Sequence, residues 1–325
     1  MAATSVAQLN AEPEIRVGES LTTKAIRRLR KDRLTLTAGS VLLILLIFSI
    51  SAPLYESVTG INHRLPNPSI QFLPPCVPVL GVGGPDCNPM HIFGTDDLGR
   101  DVFSRIMYGG QTSLGIAFFS AIFALILGIS IGMTAGYNTG TRFSVVDDFI
   151  NWVITTITSV PTIYLLLIVS AVIRSNPELS RLLSGPWLLV LILSLLGWTG
   201  TARLVRGETL SIREREYIVA SRAIGASPSR IMISHILPNL FSVVIISLAT
   251  DIGALILTEA ALSFLGLGVS ITTPSWGNML NSAQNYYTRG PHLVVLPGLF
   301  IFTAVLSLFV LGDGIRDAFD PTAKD

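Results

Sequence analysis

Two acids, Asp251 and Glu259, fall in and at the end of a run from Asn239 to about Thr258 that is otherwise almost wholly apolar. An acid at bilayer depth is costly unless it meets a cavity or a partner. Each is therefore either part of the wall of an aqueous pathway or a hydrogen-bonded acid between packed helices. A seven-residue step returns to nearly the same helix face, so Thr250, Asp251 and Thr258 can share a polar flank. The other reactive side chains are sparse. His63, His91, His235 and His292 are scattered, with no H-E-x-x-H and no C-x-x-C, so no zinc or dithiol chemistry is expected. Lys24, Lys31 and Lys324 are the only lysines and none follows a glycine. A phosphate-binding loop of the G-x-x-x-x-G-K-[ST] kind is thus missing, and the chain alone is expected to hydrolyse no ATP. Cys76 and Cys87, the only cysteines, lie in a turn-forming connection and are expected to form a disulfide. In the chain-entropy account, closing a loop of this size stabilises by about 3 kcal/mol.

What must position these residues is membrane-spanning helix. The 325 residues are 50% hydrophobic and 13% charged, whereas a soluble domain is about a quarter charged. The apolar residues gather in runs of about 20, long enough to cross a bilayer. Net charge is +1, which carries no nucleic-acid footprint. Residues 1–33 form a polar, then basic, N-terminal tail, unstructured in its first part. A first span covers 34–53. A proline- and glycine-rich connection, 54–110, follows. It ends in His91–Arg105, where Asp96, Asp97, Arg100 and Asp101 cannot lie in lipid and read as a solvated loop. Residues 111–312 form a five-helix core and 313–325 a short polar tail.

Within the core the second span runs from about Ser113 to Tyr137. Gly128, Gly132 and Gly136 recur every four residues and permit close helix packing. The third span, Phe149 to about Ile173, has Pro161 in its middle and should kink there. A polar turn at 174–184, which includes Arg181, precedes a fourth span from Pro186 to about Thr201, whose helix can continue into the polar stretch that follows. The sixth runs from Leu293 to Leu311. Trp276, Tyr286 and Tyr287, beyond a glycine-broken segment, suit an interfacial belt.

One long polar stretch, 203–238, separates the fourth and fifth spans. Ile212, Tyr217, Ala220 and Ile224 recur at helical spacing, Gly225 sits where a helix-ending glycine belongs, and Ser227-Pro228 supplies a cap and a first helical residue. The expectation is helix, glycine stop, stiff elbow, new helix. Six spans put both termini on one side. The basic tail and the arginines of the polar stretch share that side, which the positive-inside rule makes the cytoplasm. The cysteine connection is then outside, where a disulfide can persist.

Residues 91–322 resemble the permease subunits of bacterial ATP-binding-cassette importers, most closely the "C" permease of dipeptide and oligopeptide systems. The resemblance rests on His91–Arg105 (H-I-F-G-T-D-D-L-G-R-D-V-F-S-R), Ala135-Gly136-Tyr137, Glu259–Gly268 (E-A-A-L-S-F-L-G-L-G), Pro274-Ser275-Trp276-Gly277 and Leu311–Asp317 (L-G-D-G-I-R-D). The polar stretch resembles the family's cytoplasmic EAA loop. Gly225, Leu237 and Pro238 fit its pattern, while its E-A-A positions read Val219-Ala220-Ser221. The resemblance implies an all-α, six-helix, type I importer permease in the bacterial plasma membrane. It implies a heterodimer with a second permease, two cytoplasmic ATPase subunits that bind ATP and Mg, and an external substrate-binding protein. This chain would then be non-catalytic and carry no cofactor. Glu216, Tyr217, Ala220, Ser221, Ala223, Gly225 and Ser227 would couple it to an ATPase, and Asp251 and Glu259 would be pathway candidates.

A self-sufficient ion-coupled transporter would want an inverted repeat and coupled intramembrane acids, and the sequence shows no such repeat. A membrane enzyme would want a catalytic constellation that is missing. Within the importer class, a permease for nickel or another small solute is the alternative, because its motifs are shared.

Overall fold

Leu34 begins a run without charge as far as Ile50, and that run is helix. The structure is a computed structural model and describes residues 21–76, 87–178, 185–270 and 272–319. The first twenty residues, residues 77–86, the turn holding Arg181 and the last six residues lie outside the described residues. Among the described residues the regular structure is helical, apart from an isolated bridge between Thr95 and Asp101. In chain order the helices are α1 Leu21–Lys31, α2 Arg33–Ile50, α3 Ala52–Thr59, α4 Val102–Asn138, α5 Ser144–Thr158, α6 Thr162–Ser175, α7 Pro186–Arg213 and α8 Glu216–Ala223. They continue with α9 Pro228–Ile231, a π-turn Met232–Ile236, α10 Leu237–Asn239, α11 Phe241–Phe264, α12 Trp276–Ala283 and α13 His292–Phe319.

Five of these, α2, α4, α7, α11 and α13, are long and apolar enough to cross a membrane. The pair α5 and α6 passes the same test together but bends by 85° at Ser159–Pro161. Proline cannot donate to the helix ladder and disfavours α conformation in the residue before it. Asp147 near the start of α5 bonds Arg206 of α7, whereas Ser170 near the end of α6 donates to the carbonyl of Leu267 beyond α11. Those partners lie at opposite ends of the bundle, so the bent pair makes one crossing and the described residues hold six.

The most extensive helix pair in the bundle is α4 with α7. A Cβ on Gly128 would sit 2.7 Å from Thr201, one on Gly132 2.4 Å from the Ala202 carbonyl, and one on Gly136 2.7 Å from the Arg206 carbonyl. The four-residue glycine spacing therefore brings two backbones together, as small residues do in membranes. Two of the three obstacles are backbone atoms, which cannot swing aside. Gly132→Val is expected to prise α4 from α7 and destabilise by at least the 1–3 kcal/mol typical of overpacking. A lowered midpoint of thermal unfolding for the purified chain checks this, and an unchanged midpoint would contradict it.

Several helices run past the spans expected from the sequence, the sixth reaching Phe319 rather than Leu311. The second span starts at Val102 rather than near Ser113, because Asp101 caps it by accepting from the Ser104 N–H at 2.7 Å. The fourth span continues as helix into the polar stretch, α7 running through Arg213. The stretch 203–238 therefore opens with eleven helical residues.

Candidate functional site

At the end of α7, polar side chains keep the helix going where apolar pattern runs out. Arg206 grips Asp147 with two bonds, Nε to Oδ1 at 2.6 Å and Nη2 to Oδ2 at 2.7 Å. Asp147 also accepts from Thr139 Oγ1 and Asn151 Nδ2. Two turns further, Arg213 donates to the carbonyls of Gly136, Tyr137 and Thr139 at 3.0, 3.0 and 2.6 Å. These are unsatisfied carbonyls at the end of α4, and a cation there also suits the helix dipole. The ends of α4, α5 and α7 are thus tied into one block.

Arg215 is extended, and α8 starts at Glu216. Ile218 is fully buried with Met133, Val205, Ile212, Ile231, Ile236 and Leu240. That single side chain anchors the short helix on the block. Gly225 has φ +88°, the left-handed region that glycine enters at no cost. Its N–H donates to the Arg222 carbonyl, and the Ala226 N–H donates to the Ser221 carbonyl, both at 3.1 Å. These are the two bonds of a Schellman stop. Ser227 Oγ then accepts from the Arg230 N–H at 3.4 Å, with Pro228 opening α9. The elbow expected from sequence is therefore present.

The structure brings Glu216, Tyr217, Ala220, Ser221, Ala223, Gly225 and Ser227 together on this helix and elbow. All are exposed except Ser221, which is half-buried and donates to the Tyr217 carbonyl at 2.8 Å. Beside them Val219 is 50% and Ile224 87% exposed. An apolar strip of Tyr217, Val219, Ala220, Ala223 and Ile224 thus faces outward from a rigid support. The sequence reading missed Ile218 as the anchor, and missed Asp147, Arg206 and Arg213 as the block that carries it. The period in that reading, Ile212 to Ile224, mixed an inward residue with outward ones.

The two acids part company. Asp251 is half-buried in α11 and accepts from Thr201 Oγ1 of α7 at 3.3 Å. It stays a pathway candidate. Glu259 does not fit a pathway wall. It has no exposed surface and accepts from Ser113 at 2.8 Å and Ser263 at 2.7 Å. Ser113 in turn accepts from the Trp276 N–H, and the Trp276 indole donates to the Ile106 carbonyl. Glu259 joins α4, α11 and α12. Trp276 is fully buried in that joint and belongs to no interfacial belt, whereas Tyr287 is 65% exposed.

The far end of the bundle also departs from the expected solvated loop. Asp96, Arg100, Asp101 and Arg105 are each less than a tenth exposed. Asp96 accepts from Arg100 Nε at 2.8 Å and from the Leu98 and Arg100 N–H groups. Asp101 meets His91 Nδ1 at 2.9 Å. These charges are buried in protein by mutual pairing, which sequence position alone does not reveal. Cys76 and Cys87 are disulfide-bonded, with Cα atoms 5.2 Å apart.

Nearby, His63 Nδ1 meets Glu56 Oε2 at 3.0 Å, and the Tyr108 hydroxyl donates to the same oxygen at 2.8 Å. Arg64 Nε donates to His63 Nε2 at 3.1 Å, which requires a neutral ring with its proton on Nδ1. Burial pushes His63 below the ordinary imidazole value, against the opposing pull of Glu56. Burial pushes Glu56 up, but its bonds from Tyr108 and His63 outweigh this and leave it below the ordinary value. A depressed imidazole means the unfolded segment takes a proton before the folded one, so stability is lost as pH falls below about 6.5. Glu56 acts in the same direction at lower pH. Once each rate is divided by its intrinsic value at that pH, hydrogen-exchange protection of residues 52–70 is expected to be weaker at pH 5.5 than at pH 7.5, and equal protection would contradict it.

Comparison with known proteins bears on the whole arrangement. Residues 128–325 match the family described as "Binding-protein-dependent transport system inner membrane component". The chain is 34% identical over 301 residues to the dipeptide transport system permease protein DppC of Alkalihalophilus pseudofirmus, covering 93% of this chain and 90% of that one. It is 34% identical over 325 residues to the glutathione transport system permease protein GsiD of Escherichia coli, covering 98% and 97%. Among solved structures, an inward-facing MetNI methionine ABC transporter chain matches with a TM-score of 0.50 and 20% identity, covering 65% of this chain and 94% of that one. That likeness supports the permease fold alone. With the family matched from residue 128, within α4, to residue 325 and two relatives matched over most of their length, the chain belongs to the inner-membrane components of binding-protein-dependent transport systems.

Proposed function

We propose that this permease carries peptides inward as one half of a pathway shared with a second permease subunit, driven by ATP hydrolysed elsewhere. Two ATPase subunits, binding ATP and Mg, would supply the energy, and an external binding protein would deliver the solute. Both termini and the α8 elbow would face the cytoplasm, in keeping with the basic residues gathered there. The observation that carries the coupling part is the outward apolar strip on α8, held by Ile218 and the Schellman stop. A short helix with an exposed apolar face on a stiff mount suits a helix-in-groove contact. Tyr217, Ala220, Ala223 and Ile224 would enter the groove, with Glu216 and Ser227 at its rim. Asp251 would line the pathway. Peptide is preferred to nickel or another small solute because the relatives reported above are named for dipeptide and glutathione transport.

Purification of the assembled complex from native membranes, followed by reconstitution with its binding protein, tests this. ATP-dependent uptake of labelled dipeptide or glutathione is expected. Uptake of nickel with neither peptide would overturn the substrate assignment. Uptake of peptide without any ATP-hydrolysing subunit would overturn the energy source.

A further inference from the structure

Residues 24–33 hold six cations, Lys24, Arg27, Arg28, Arg30, Lys31 and Arg33, against the single acid Asp32. On α1 they separate cleanly by helical position, with Ala25, Ile26 and Leu29 on one arc and the basic residues of the helix on the other. The apolar arc is only partly used by the protein itself. Ala25 is buried and Leu29 half-buried, and α1 packs on α13, yet Ile26 remains 53% exposed. Lys24, Arg30 and Lys31 are exposed.

The helix then stops. Asp32 has an extended backbone, φ −80° and ψ 101°, and its carboxylate caps α2 by accepting from the Leu34 N–H at 3.0 Å and from the Thr35 hydroxyl. Thus α1 is a separate helix that changes direction just before the chain enters the bilayer. The one acid of the segment is turned towards α2 and is committed to capping.

A basic amphipathic helix at the mouth of a span lies in the plane of the interface, apolar side down. We propose that α1 is an anionic-phospholipid contact, with Lys24, Arg30 and Lys31 on headgroup phosphates and Ile26 in the acyl boundary beside α13. Two features single out a lipid surface. The cations directly adjoin the first residues of a span, and the same short helix carries an exposed isoleucine, Ile26, one turn from Arg30. Clusters of this size at that place are the usual signature of anionic-lipid recognition. This inference rests on the membrane-spanning family assignment and is independent of which solute is carried.

The test uses the full chain, purified in detergent and titrated with phosphatidylglycerol or phosphatidylcholine, with retained lipid counted by native mass spectrometry. The parent chain is expected to prefer phosphatidylglycerol. In the triple variant Lys24→Gln/Arg30→Gln/Lys31→Gln the preference should fall on the order of tenfold or more. In about 1 M salt, where the Debye length is about 3 Å, the parent should lose it too. An unchanged preference in the triple variant overturns the proposal. So does displacement of the lipid by inorganic phosphate at equal concentration, which would mark a free-anion site. Should the triple variant not fold, Lys24→Gln and Lys31→Gln singly must each lower the preference, and parent-like retention in both overturns it. Peptide uptake enters none of these readings, so a failed transport assignment would be seen separately.

Discussion

Gly225→Val and Ala223→Asp are each expected to leave the permease inserted and folded while uptake by the assembled complex collapses. At Gly225 the cause is conformational. Its φ of +88° is costly for a β-branched residue, on the order of 1–2 kcal/mol. Nothing lies within 4 Å of a Cβ added there, so no clash with the bundle accompanies the strain. The chain relieves the strain by re-aiming α8 relative to α9. At Ala223 the cause is electrostatic. The side chain is exposed in this chain, so an aspartate costs only the few tenths of a kcal/mol of an acid at a helix C-terminus until a partner covers it. Once covered, an unpaired carboxylate in a buried contact is strongly unfavourable. Either the ATPase subunits are lost on purification or ATP turnover continues without uptake. Tyr287→Ala, at a residue 65% exposed beyond the other end of α11, serves as the control and should transport normally. Normal uptake with normal ATPase content in both variants would mean that α8 is an ordinary surface helix.

The second large effect is expected at Asp147. Asp147→Ala removes the partner of Arg206 and leaves Thr139 and Asn151 without their shared acceptor. Breaking one side of a buried pair costs about 3–5 kcal/mol, and less here because the Arg206 side chain is 26% exposed. The loss falls on the joint that fastens α5 to α7, and α7 is the helix that carries α8. Thermal unfolding is expected to shift down clearly, and uptake per ATP hydrolysed should fall in whatever complex survives. Exchange of the pair, Asp147→Arg with Arg206→Asp, should recover part of the stability, giving a favourable coupling energy of about 1 kcal/mol or more. Strict additivity of the two single changes would show that the pair is incidental.

The spans were legible because a bilayer imposes one requirement, about 20 apolar residues, that composition reports directly. The Pro161 bend and the Gly225 elbow were legible for a related reason, since proline and glycine act through the backbone and need no tertiary context. The glycines of α4 were legible as a face, and only packing showed that Ala202 and Arg206 lie against it. What escaped reading depended on distant partners. Arg206 and Arg213 look like surface charge until Asp147 and the carbonyls ending α4 are placed beside them. Asp96 and Arg105 look solvated until the segment folds back on the start of α4. Trp276 looks interfacial until Ser113 and Ile106 supply its hydrogen bonds. Ile218 was hidden among neighbours of equal hydrophobicity, because burial on an eight-residue helix is decided by its mount.

The most direct measurement is a photo-cross-link from the elbow. A benzoylphenylalanine replaces Ile224, which is 87% exposed, and intact membranes carrying the whole system are irradiated. The adduct is expected to contain an ATP-binding subunit, identified by peptides of its phosphate-binding loop, while the same probe at Tyr287 gives none. An elbow that yields no such adduct, or yields it no more than Tyr287 does, would contradict the assignment of α8 as the coupling helix.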